Sequence, residues 1–368
     1  MQAPYPQPIL FQRFPALAAR VPFTRLGCPN TSIEPLSQLG RRLGREIWVK
    51  RDDLYGSPGG GKIRKLEFSL AEMLRQGRRT LITFGPLGSN HVAATATHAN
   101  RLGMETLGVL VPQPVQHYVR GNLERSCCFA RVVFARWSGT AAIRAVQLWL
   151  SERIAAGRTP ALLAPGGSSF CGILGYVEAA LEIARDVRAG SIPEPDFAFI
   201  PAGTCGALAG LVAGLRIAGL NTKAIGVRVA GRLACNATTT KWLANRVLAL
   251  LRARGAALDV MRVRARDFTM LHQFCGRGYA HATSAGKSAI ALAQETQGLT
   301  LDTTYTGKAM AALLEFMARP EHSQSRALFI NTWAPPSAPV AGDASRIPNN
   351  IQAWLRGHET AETAGQSL

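Results

Sequence analysis

An alternation of apolar strands, glycine-containing loops and amphipathic helices runs through the 368-residue chain and limits its fold more than any other feature. Strands are predicted at 46–50, 80–84, 106–111, 131–134, 197–201, 224–229 and 327–331. Helices are predicted at 63–75, 90–102, 119–127, 140–155, 173–189, 207–218, 284–296 and 307–317. Such alternation is typical of parallel strands covered by helices. We therefore predict an α/β protein with two doubly wound parallel-sheet domains and a ligand cleft between them.

Composition narrows the classes of protein that fit. With 47% hydrophobic and 18% charged residues the chain can bury a large core. Its apolar runs are far shorter than the roughly 20 residues that a membrane helix needs, and no secretory leader is evident, so we expect a cytoplasmic protein without a membrane partner. The seven cysteines form no C-x-x-C pair. We read them as free thiols and predict no metal site.

The net charge of +19 raises the possibility of a nucleic-acid partner. The arginines are scattered in ones and twos among apolar segments, however, and no nucleic-acid-binding motif is found. We expect no specific nucleic-acid partner.

Three glycine-containing loops lie where a predicted strand gives way to a helix, at 85–90, 201–206 and 59–62. The start of a helix offers free N–H groups to a phosphate, so these loops favour a phosphorylated cofactor. None matches the dinucleotide or NTP-binding patterns. Each loop alone is equally compatible with a simple turn. Lys62, which ends the third loop, could hold an aldehyde cofactor or could be a solvated lysine like Lys65.

Motifs spread over roughly residues 22–333 resemble those of the ACC deaminase and D-cysteine desulfhydrase family. The motif that contains Lys62, G-G-G-K-I-R-K-L-E-F, is similar to the family's Schiff-base motif G-G-N-K-x-R-K-L-E. Further similar segments are I-E-P-L-S-Q-L-G at 33–40, W-V-K-R-D-D-L-Y-G at 48–56, G-S-N-H-V at 88–92, A-P-G-G-S-S at 164–169, L-G-Y-V-E-A-A-L-E-I at 174–183, G-T-C-G-A-L-A-G-L at 203–211, G-Y-A at 278–280 and L-D-T-T-Y-T-G-K-A-M at 301–310.

The resemblance implies the tryptophan synthase β-like fold (fold type II of the pyridoxal phosphate enzymes), with pyridoxal 5′-phosphate in the cleft. We predict a large cofactor-binding domain at 1–65 plus 176–368 and a small domain at 66–175. The resemblance also implies a homodimer.

Roles for individual residues follow from the same resemblance. Lys62 is implied as the cofactor lysine and, with Ser89, as the group that handles the Cα proton. Asn90 is implied beside the pyridoxal 3-oxygen and Thr306 beside the ring nitrogen. Two residues, Tyr279 and Tyr305, are implied over the substrate as acid or base, although either could be a core tyrosine.

The phosphate loop and the substrate pocket depart from the family pattern. The loop normally reads close to S-G-G-T, whereas Thr204, Cys205, Gly206 and Ala207 follow Gly203 here. A cysteine thus replaces a glycine and one hydroxyl is lost, although backbone N–H groups remain for the phosphate. Trp333 stands where the family has a small residue, so we predict that it reshapes the substrate pocket. His91 is assigned to that pocket, or else bonds to backbone at the helix entrance.

These features predict a lyase or deaminase that removes the Cα proton of a small amino acid and then eliminates a substituent. The ACC deaminase pattern is Y-E-G-K and S-N-Q at two of the loops. This chain instead has Y-T-G-K at 305–308 and S-N-H at 89–91, and in this it resembles the desulfhydrases. Elimination therefore ranks above cyclopropane opening. Two alternatives stay open: β-replacement or carbon-carbon bond chemistry on another amino acid, and a catalytically silent binding protein.

Overall fold

The computed structural model describes residues 7–114, 118–155, 157, 159–335 and 347–355 and divides into two compact units. Unit 1 holds the described residues up to Gly56, Gly60–Glu72 and Gly166–Ala334. Unit 2 holds the remainder. These bounds differ from the sequence-based ones at four places, the first of which is residues 57–59, which belong to unit 2. Residues 66–72 and 166–175 belong to unit 1, because Phe68 and Ile173 lie in its core, whereas 347–355 belongs to unit 2, where Ile351 is buried.

Eleven α-helices and ten strands are found in the described part of the chain. The helices are α1 Ile9–Arg13, α2 Ser37–Leu43, α3 Gly61–Arg75, α4 Asn90–Arg101, α5 Val119–Phe129, α6 Ala141–Ala155, α7 Phe170–Arg188, α8 Gly206–Ala218, α9 Ala237–Ala253, α10 Ser284–Gln297 and α11 Thr306–Met317. The strands are β1 Ile33–Pro35, β2 Glu46–Lys50, β3 Thr80–Pro86, β4 Glu105–Val111, β5 Arg131–Phe134, β6 Ala161–Leu163, β7 Phe197–Ala202, β8 Lys223–Arg228, β9 Phe268–Leu271 and β10 Arg326–Ile330.

Unit 1 is built on a six-stranded sheet in the order β1-β2-β10-β7-β8-β9. All neighbours are parallel except β1 and β2, which pair antiparallel with Ile33 opposite Lys50. In β7 and β10, alternate residues enter opposite cores. Ile200 and Leu328 join the core formed with α7 and α8, and Phe199 and Phe329 join the core formed with α10 and α11. Since side chains alternate along a strand, helices cover both faces of this sheet.

Unit 2 repeats the arrangement on a smaller scale. Its four strands are all parallel, in the order β5-β4-β3-β6. Leu110 of β4 is buried with Leu123 of α5 on one face, whereas Val109 is buried with Ala141 and Ala145 of α6 on the other. The predicted α/β class with two mainly parallel, helix-covered sheets is confirmed.

Residues 1–30 are rich in proline and arginine, which predicts an arm lying over the surface, and the described part of this segment shows that this prediction is wrong. Leu10 and Leu17 are fully buried in the core of unit 1. The backbone N–H groups of Ile9 and Leu10 donate to the two carboxylate oxygens of Glu178 at 2.7 and 2.8 Å. Apolar residues between the prolines thus complete the core, which the proline and arginine content had obscured.

Within the described residues, no helix is long and apolar enough to cross a membrane. The same part of the chain contains no group of three His, Cys, Asp or Glu side chains that could hold a metal ion.

Candidate active site

Two loops of unit 1 leave neighbouring parallel strands at the same edge of the sheet. Residues 203–205 follow β7, and 331–334 follow β10. Ligands in open parallel sheets bind beyond these carboxyl ends. A Cβ added to Gly203 would lie 3.4 Å from the ring of Tyr305, which places Tyr305 against the first loop. The second loop contacts the start of α3, because Gly61 donates its N–H to the carbonyl of Thr332 at 3.0 Å.

Lys62 lies in the first turn of α3, and its Nζ is 5.4 Å from the centroid of the Tyr305 ring. Burial lowers the pKa of Lys62 to about 8, although the negative charge of Asp302 acts in the opposite direction. An ordinary lysine amine is protonated almost completely at neutral pH. Lys62 therefore keeps a usable fraction of its amine neutral, which nucleophilic attack on an aldehyde requires.

A buried ionic cluster fixes α3 two residues beyond Lys62. Arg64 is fully buried and donates to both carboxylate oxygens of Asp52 at 2.8 and 2.9 Å and to both oxygens of Glu182 at 2.8 Å. Lys50 adds a second cation 2.7 Å from Glu182. Burial alone would raise the pKa of Glu182, but the charges of Arg64 and Lys50 lower it to about 2. The first turn of α3 is thus held by paired, fully desolvated charges.

Lys65 was considered a solvated lysine at the sequence level, and the structure corrects this. It is 1% exposed, and its Nζ donates to the carbonyl of Gly166 at 3.0 Å and to the hydroxyl of Ser168 at 3.3 Å. Burial, and then the nearby charge of Lys62, lowers the pKa of Lys65. Neither of these two hydrogen-bond partners of Lys65 is a carboxylate. Such a buried ammonium is suited to an anionic group.

The predicted phosphate loop lies beside Lys65. A Cβ added to Gly206 would lie 3.1 Å from Lys65 Nζ and 2.3 Å from the Ser168 hydroxyl, so only glycine fits there. The hydroxyl of Thr204 is 2.7 Å from that of Ser168. We call Lys65, Ser168, Thr204 and Gly206 the phosphate cradle. Its hydroxyls compensate for the one that Ala207 lacks, and the first turn of α8 adds N–H groups and a positive dipole.

Cys205 departs from the family glycine without filling this cradle. Its backbone has φ +61°, the left-handed conformation that favours glycine. Its side chain is 1% exposed and is directed towards Ala234 and Asn236, whose carbonyl oxygens lie 3.8 and 3.6 Å from Sγ. The substitution therefore adds bulk to the core behind the loop.

Tyr279 and Tyr305 lie together, and their place over the substrate stays a prediction. The Tyr305 hydroxyl donates to that of Tyr279 at 3.0 Å, and the rings meet edge to face. Lys308 is fully buried and donates to the carbonyls of Cys275 and Gly278 at 2.8 and 2.9 Å. It therefore secures the loop that carries Tyr279. Sequence reasoning missed Lys308, although it ends the Y-T-G-K motif.

Thr306 is held by Asp302, another residue that sequence reasoning missed. The Thr306 hydroxyl donates to Asp302 Oδ1 at 2.7 Å and accepts from the Asp302 backbone N–H at 2.8 Å. The backbone N–H groups of Thr304, Tyr305 and Thr306 also donate to Asp302. Asp302 therefore fixes the position of the Thr306 side chain. Its place beside that nitrogen stays a prediction.

Unit 2 carries the S-N-H loop at the start of α4. Ser89 caps this helix by accepting from the backbone N–H of Val92 at 3.2 Å, so its hydroxyl hydrogen is still available to a ligand. Asn90 is half-buried. His91 is buried, with ring nitrogens 3.2 Å from the Thr83 hydroxyl and 3.4 Å from the Thr95 hydroxyl. Side-chain hydroxyls thus lie within hydrogen-bonding distance of both ring nitrogens of His91. The substrate-pocket role of His91 stays a prediction.

Trp333 is 6% exposed in the loop that contacts Gly60 and Gly61. A side chain at Gly60 would lie 2.8 Å from the carbonyl of Thr332, which shows how tightly this loop packs on the residues before Lys62. The backbone on either side of Trp333, at Thr332 and Ala334, therefore lies against the residues that precede Lys62. Its effect on the substrate pocket stays a prediction.

Comparison with known proteins decides which family this arrangement represents. The model of the pyridoxal-phosphate dependent enzymes matches residues 24–332. The chain belongs to this family. D-cysteine desulfhydrase from Klebsiella pneumoniae (strain 342) is 34% identical over 332 residues, covering 88% of this chain and 95% of the relative. The same enzyme from Salmonella paratyphi B is 33% identical over 331 residues, covering 88% of this chain and 95% of that relative.

Solved structures agree with the family assignment. The crystal structure of an ACC deaminase homologue superposes with a TM-score of 0.73 at 30% identity, covering 89% of this chain and 95% of that one. Diaminopropionate ammonia lyase from Escherichia coli shares the fold, with a TM-score of 0.61 at 15% identity over 88% of this chain and 89% of the other. The family resemblance inferred from the motifs and the pyridoxal phosphate cofactor are confirmed.

The residues of unit 1 fit pyridoxal phosphate. The phosphate cradle supplies a buried ammonium, two hydroxyls and the start of α8 for the phosphate. Lys62 supplies an amine of lowered pKa for the aldehyde carbon. The predicted phosphate-loop residues Gly203–Ala207 and the predicted cofactor lysine are thus all in unit 1.

Substitutions of two adjacent serines should affect different properties, one the affinity for the cofactor and the other the stability of the fold. Ser168→Ala removes a hydroxyl that contacts Lys65 and Thr204, so we expect pyridoxal phosphate affinity to fall about 3- to 10-fold while the cofactor-free protein keeps its stability. Ser169→Ala removes the cap of α7, which accepts from the N–H of Gly172 at 3.0 Å, and should lower the free energy of unfolding by about 1 kcal/mol. Cofactor titration and thermal unfolding of both variants check this. Equal effects on both measurements would contradict the separation.

The lowered pKa of Lys62 predicts a pH dependence of cofactor attachment. Attachment needs the neutral amine, so its rate should rise with pH through a midpoint near 8. Asp302 raises the pKa of Lys62, so Asp302→Asn should move the midpoint to lower pH. Stopped-flow absorbance after mixing cofactor-free protein with pyridoxal phosphate measures it, with the exposed Asp259→Asn as a control that leaves the midpoint unchanged. A midpoint that moves upward would contradict the assignment.

Proposed function

We propose that this chain is a pyridoxal phosphate-dependent lyase that acts on a small amino acid, with D-cysteine desulfhydration as its preferred reaction. In that reaction D-cysteine and water give pyruvate, ammonia and hydrogen sulfide. The similarity to D-cysteine desulfhydrases over 95% of their length supports the substrate. The observation that carries the proposal is the grouping of a lysine of lowered pKa with a hydrogen-bonded tyrosine pair.

The proposed chemistry divides between the cofactor and the side chains. Bound pyridoxal phosphate supplies an electron sink for the negative charge that develops at Cα. Lys62, once released from the cofactor, has the pKa of a base that can take the Cα proton near neutral pH. Tyr305 and Tyr279 would protonate the leaving sulfur, because the hydrogen bond between their hydroxyls lets one replenish the proton of the other.

The residues of the S-N-H loop complete the proposal. We assign Ser89 to the substrate carboxylate and to the Cα proton together with Lys62, and Asn90 to the 3-oxygen of the cofactor. The capping geometry of Ser89 supports this, since its oxygen accepts from the helix and leaves the hydrogen for a carboxylate.

Cyclopropane opening is the second candidate, because the ACC deaminase homologue shares the fold at 30% identity. An uncharged Thr306 argues for elimination instead. A carboxylate at that position would hold the ring nitrogen protonated and strengthen the electron sink, whereas a hydroxyl does not. β-Replacement or carbon-carbon bond formation on another amino acid is the remaining enzymatic alternative.

Product analysis tests the proposed reaction. The purified enzyme with its cofactor is incubated separately with D-cysteine, L-cysteine and 1-aminocyclopropane-1-carboxylate, and 2-oxo acids, ammonia and sulfide are measured. We expect pyruvate, ammonia and sulfide in equal amounts from D-cysteine. Release of 2-oxobutanoate and ammonia from the cyclopropane substrate, with none of the expected products from D-cysteine, would replace the proposal by the second candidate.

We propose further that the enzyme is a cytoplasmic homodimer. None of the seven cysteines, all of which lie in the described part of the chain, forms a disulfide, which fits a reducing compartment. In unit 2 an apolar stripe on α6 supports self-association. Ile143, Val146, Leu150 and Ile154 recur at helical spacing and are 45–81% exposed. Exposed apolar patches of this kind mark protein interfaces.

Light scattering after size-exclusion chromatography tests the dimer. We expect twice the mass of the 39.4 kDa chain, and a monomer for the double variant Leu150→Glu, Ile154→Glu. A dimer that survives these substitutions would remove α6 from the interface.

A further inference from the structure

Two thiols of unit 1 touch behind the phosphate loop. The sulfurs of Cys205 and Cys235 are 3.6 Å apart, and the residues are 1% and 0% exposed. Cys205 lies between Thr204 and Gly206 of the phosphate cradle, whereas Cys235 precedes Asn236, the residue that caps α9. Residues separated by 30 positions in the sequence are thus brought into sulfur-sulfur contact by the fold.

The backbone conformation of Cys205 gives this contact significance. A cysteine in the left-handed conformation, with φ +61° and ψ −17°, has a strained backbone, which a glycine would avoid. Its sulfur packs only against the segment of Cys235 among its described hydrogen-bond contacts. Cys235 in turn directs its thiol to the carbonyl of Ala202, at 3.0 Å, in the strand that leads into the loop. Strain held in place by such contacts is typical of functional positions.

We propose that Cys205 and Cys235 are a redox-active pair whose oxidation to a disulfide loosens the phosphate loop. Hydrogen peroxide is the oxidant. The Cys205 thiolate attacks one peroxide oxygen and the O–O bond breaks. Cys205 becomes a sulfenic acid, and the other peroxide oxygen departs as water. The sulfur of Cys235 then attacks that sulfur, the S–O bond breaks, and a second water leaves. The two thiols together lose two electrons and two protons, which reduce one peroxide to two waters.

The surroundings favour attack by Cys205. Cys205 is the N-cap residue of α8, where the positive end of the helix dipole favours a thiolate. The hydrogen bond with Cys205 and burial raise the pKa of Cys235. Cys205 is therefore the thiolate and Cys235 the resolving thiol. Residues 231–234, directly before Cys235, are all exposed, so the pair lies beside a surface segment.

Closure of the disulfide moves the phosphate loop. A covalent S–S bond is about 2.05 Å long, so the sulfurs must approach by about 1.5 Å. Cys205 carries part of this movement into Thr204 and Gly206, where the cradle has no spare room around Ser168. The oxidised enzyme therefore binds pyridoxal phosphate more weakly, independently of which amino acid it uses as substrate.

Peroxide treatment of the reduced holoenzyme, followed by alkylation and peptide mass spectrometry, tests the pair. We expect a cross-linked peptide that contains Cys205 and Cys235, with two hydrogens lost and with reversal by dithiothreitol. The dissociation constant of pyridoxal phosphate should rise about 3- to 10-fold on oxidation. The reduced enzyme provides the baseline, so failure of cofactor binding itself is distinguished from failure of the switch.

Two variants sharpen this test. Cys235→Ser keeps a donor for the Ala202 carbonyl but cannot cross-link, so peroxide should leave its cofactor affinity unchanged and dimedone should trap a sulfenic acid on Cys205. Cys28→Ser removes an exposed thiol and should cross-link like the wild type. Oxidation of other cysteines while Cys205 and Cys235 stay reduced overturns the proposal. A disulfide that leaves the dissociation constant unchanged overturns its regulatory role.

Discussion

Replacing Lys62 by alanine should abolish the visible absorbance band of lysine-bound pyridoxal phosphate and lower kcat by at least about 10³-fold. The variant loses both the amine that attaches to the aldehyde and the base that is proposed for the Cα proton, and a positioned base alone contributes about 10²- to 10⁴-fold. Absorbance spectra and pyruvate release from D-cysteine measure the two effects. The phosphate cradle is left intact, so the variant should still bind the cofactor noncovalently.

Lys287→Ala is the matched control for Lys62→Ala. It removes an exposed lysine from α10 in the same unit and should leave both spectrum and rate unchanged. A Lys62→Ala protein that folds, retains the band and turns over at the wild-type rate would show that another lysine holds the cofactor.

The second large effect is expected at Lys65, where affinity and stability should change in opposite directions. Lys65→Met removes the cation of the phosphate cradle, and hydrogen bonds to charged groups are worth about 1.5–3 kcal/mol, so the dissociation constant of pyridoxal phosphate should rise about 10- to 100-fold. In the cofactor-free protein Lys65 is a buried amine whose charged form is disfavoured by burial and by Lys62, which lower its pKa, and it donates only to uncharged oxygens among its described contacts. Replacing it with an apolar side chain of similar length should therefore maintain or raise the melting temperature.

A loss of cofactor affinity without a loss of stability would distinguish a cofactor-binding role of Lys65 from a structural one. If Lys65 only supported the fold through Gly166 and Ser168, the methionine variant would lose stability and affinity together. Lys287→Met again serves as the control, with no expected change in either quantity. Cofactor titration and thermal unfolding without cofactor are both required.

Much of the fold could be predicted from the alternation of strands and helices, because each buried strand is a short apolar run flanked by loop residues. The predicted strand 106–111 and helix 90–102 lie within one residue of β4 and α4 at each end. The elements that were missed have weaker patterns. The strands β1, β6 and β9 are only three or four residues long, and α9 combines threonines and a lysine in its first turn.

Sequence motifs predicted the residues that lie in the phosphate loop and at Lys62. The sequence did not predict which charged residues near them are buried. Lys62 and the phosphate loop lie in unit 1 as expected, but the charged run Arg64, Lys65 and Glu67 gave no sign of being buried. In the structure these three residues are at most 1% exposed. Charged side chains are ordinarily solvated, and only the partners supplied by distant segments, such as Glu182, make their burial possible. No local pattern in α3 could reveal those partners.

The Cys205 substitution shows the same limit. From the sequence alone a bulkier residue in the phosphate loop suggested a change in the cradle. The structure directs the side chain away from it, towards Cys235, because the left-handed backbone at Cys205 points Cβ into the core. The direction of a side chain at an unusual φ is a property of the backbone, which sequence similarity at this position does not provide.

The central claim, that Lys62 holds pyridoxal phosphate, is tested most directly by borohydride reduction of the cofactor-loaded enzyme followed by peptide mapping. Reduction fixes the linkage between the cofactor and its lysine as a stable amine. The account predicts one stoichiometric pyridoxyl label, on the peptide that contains Lys62. A label on Lys65 or on any other lysine, or no label in a protein saturated with the cofactor, would contradict it.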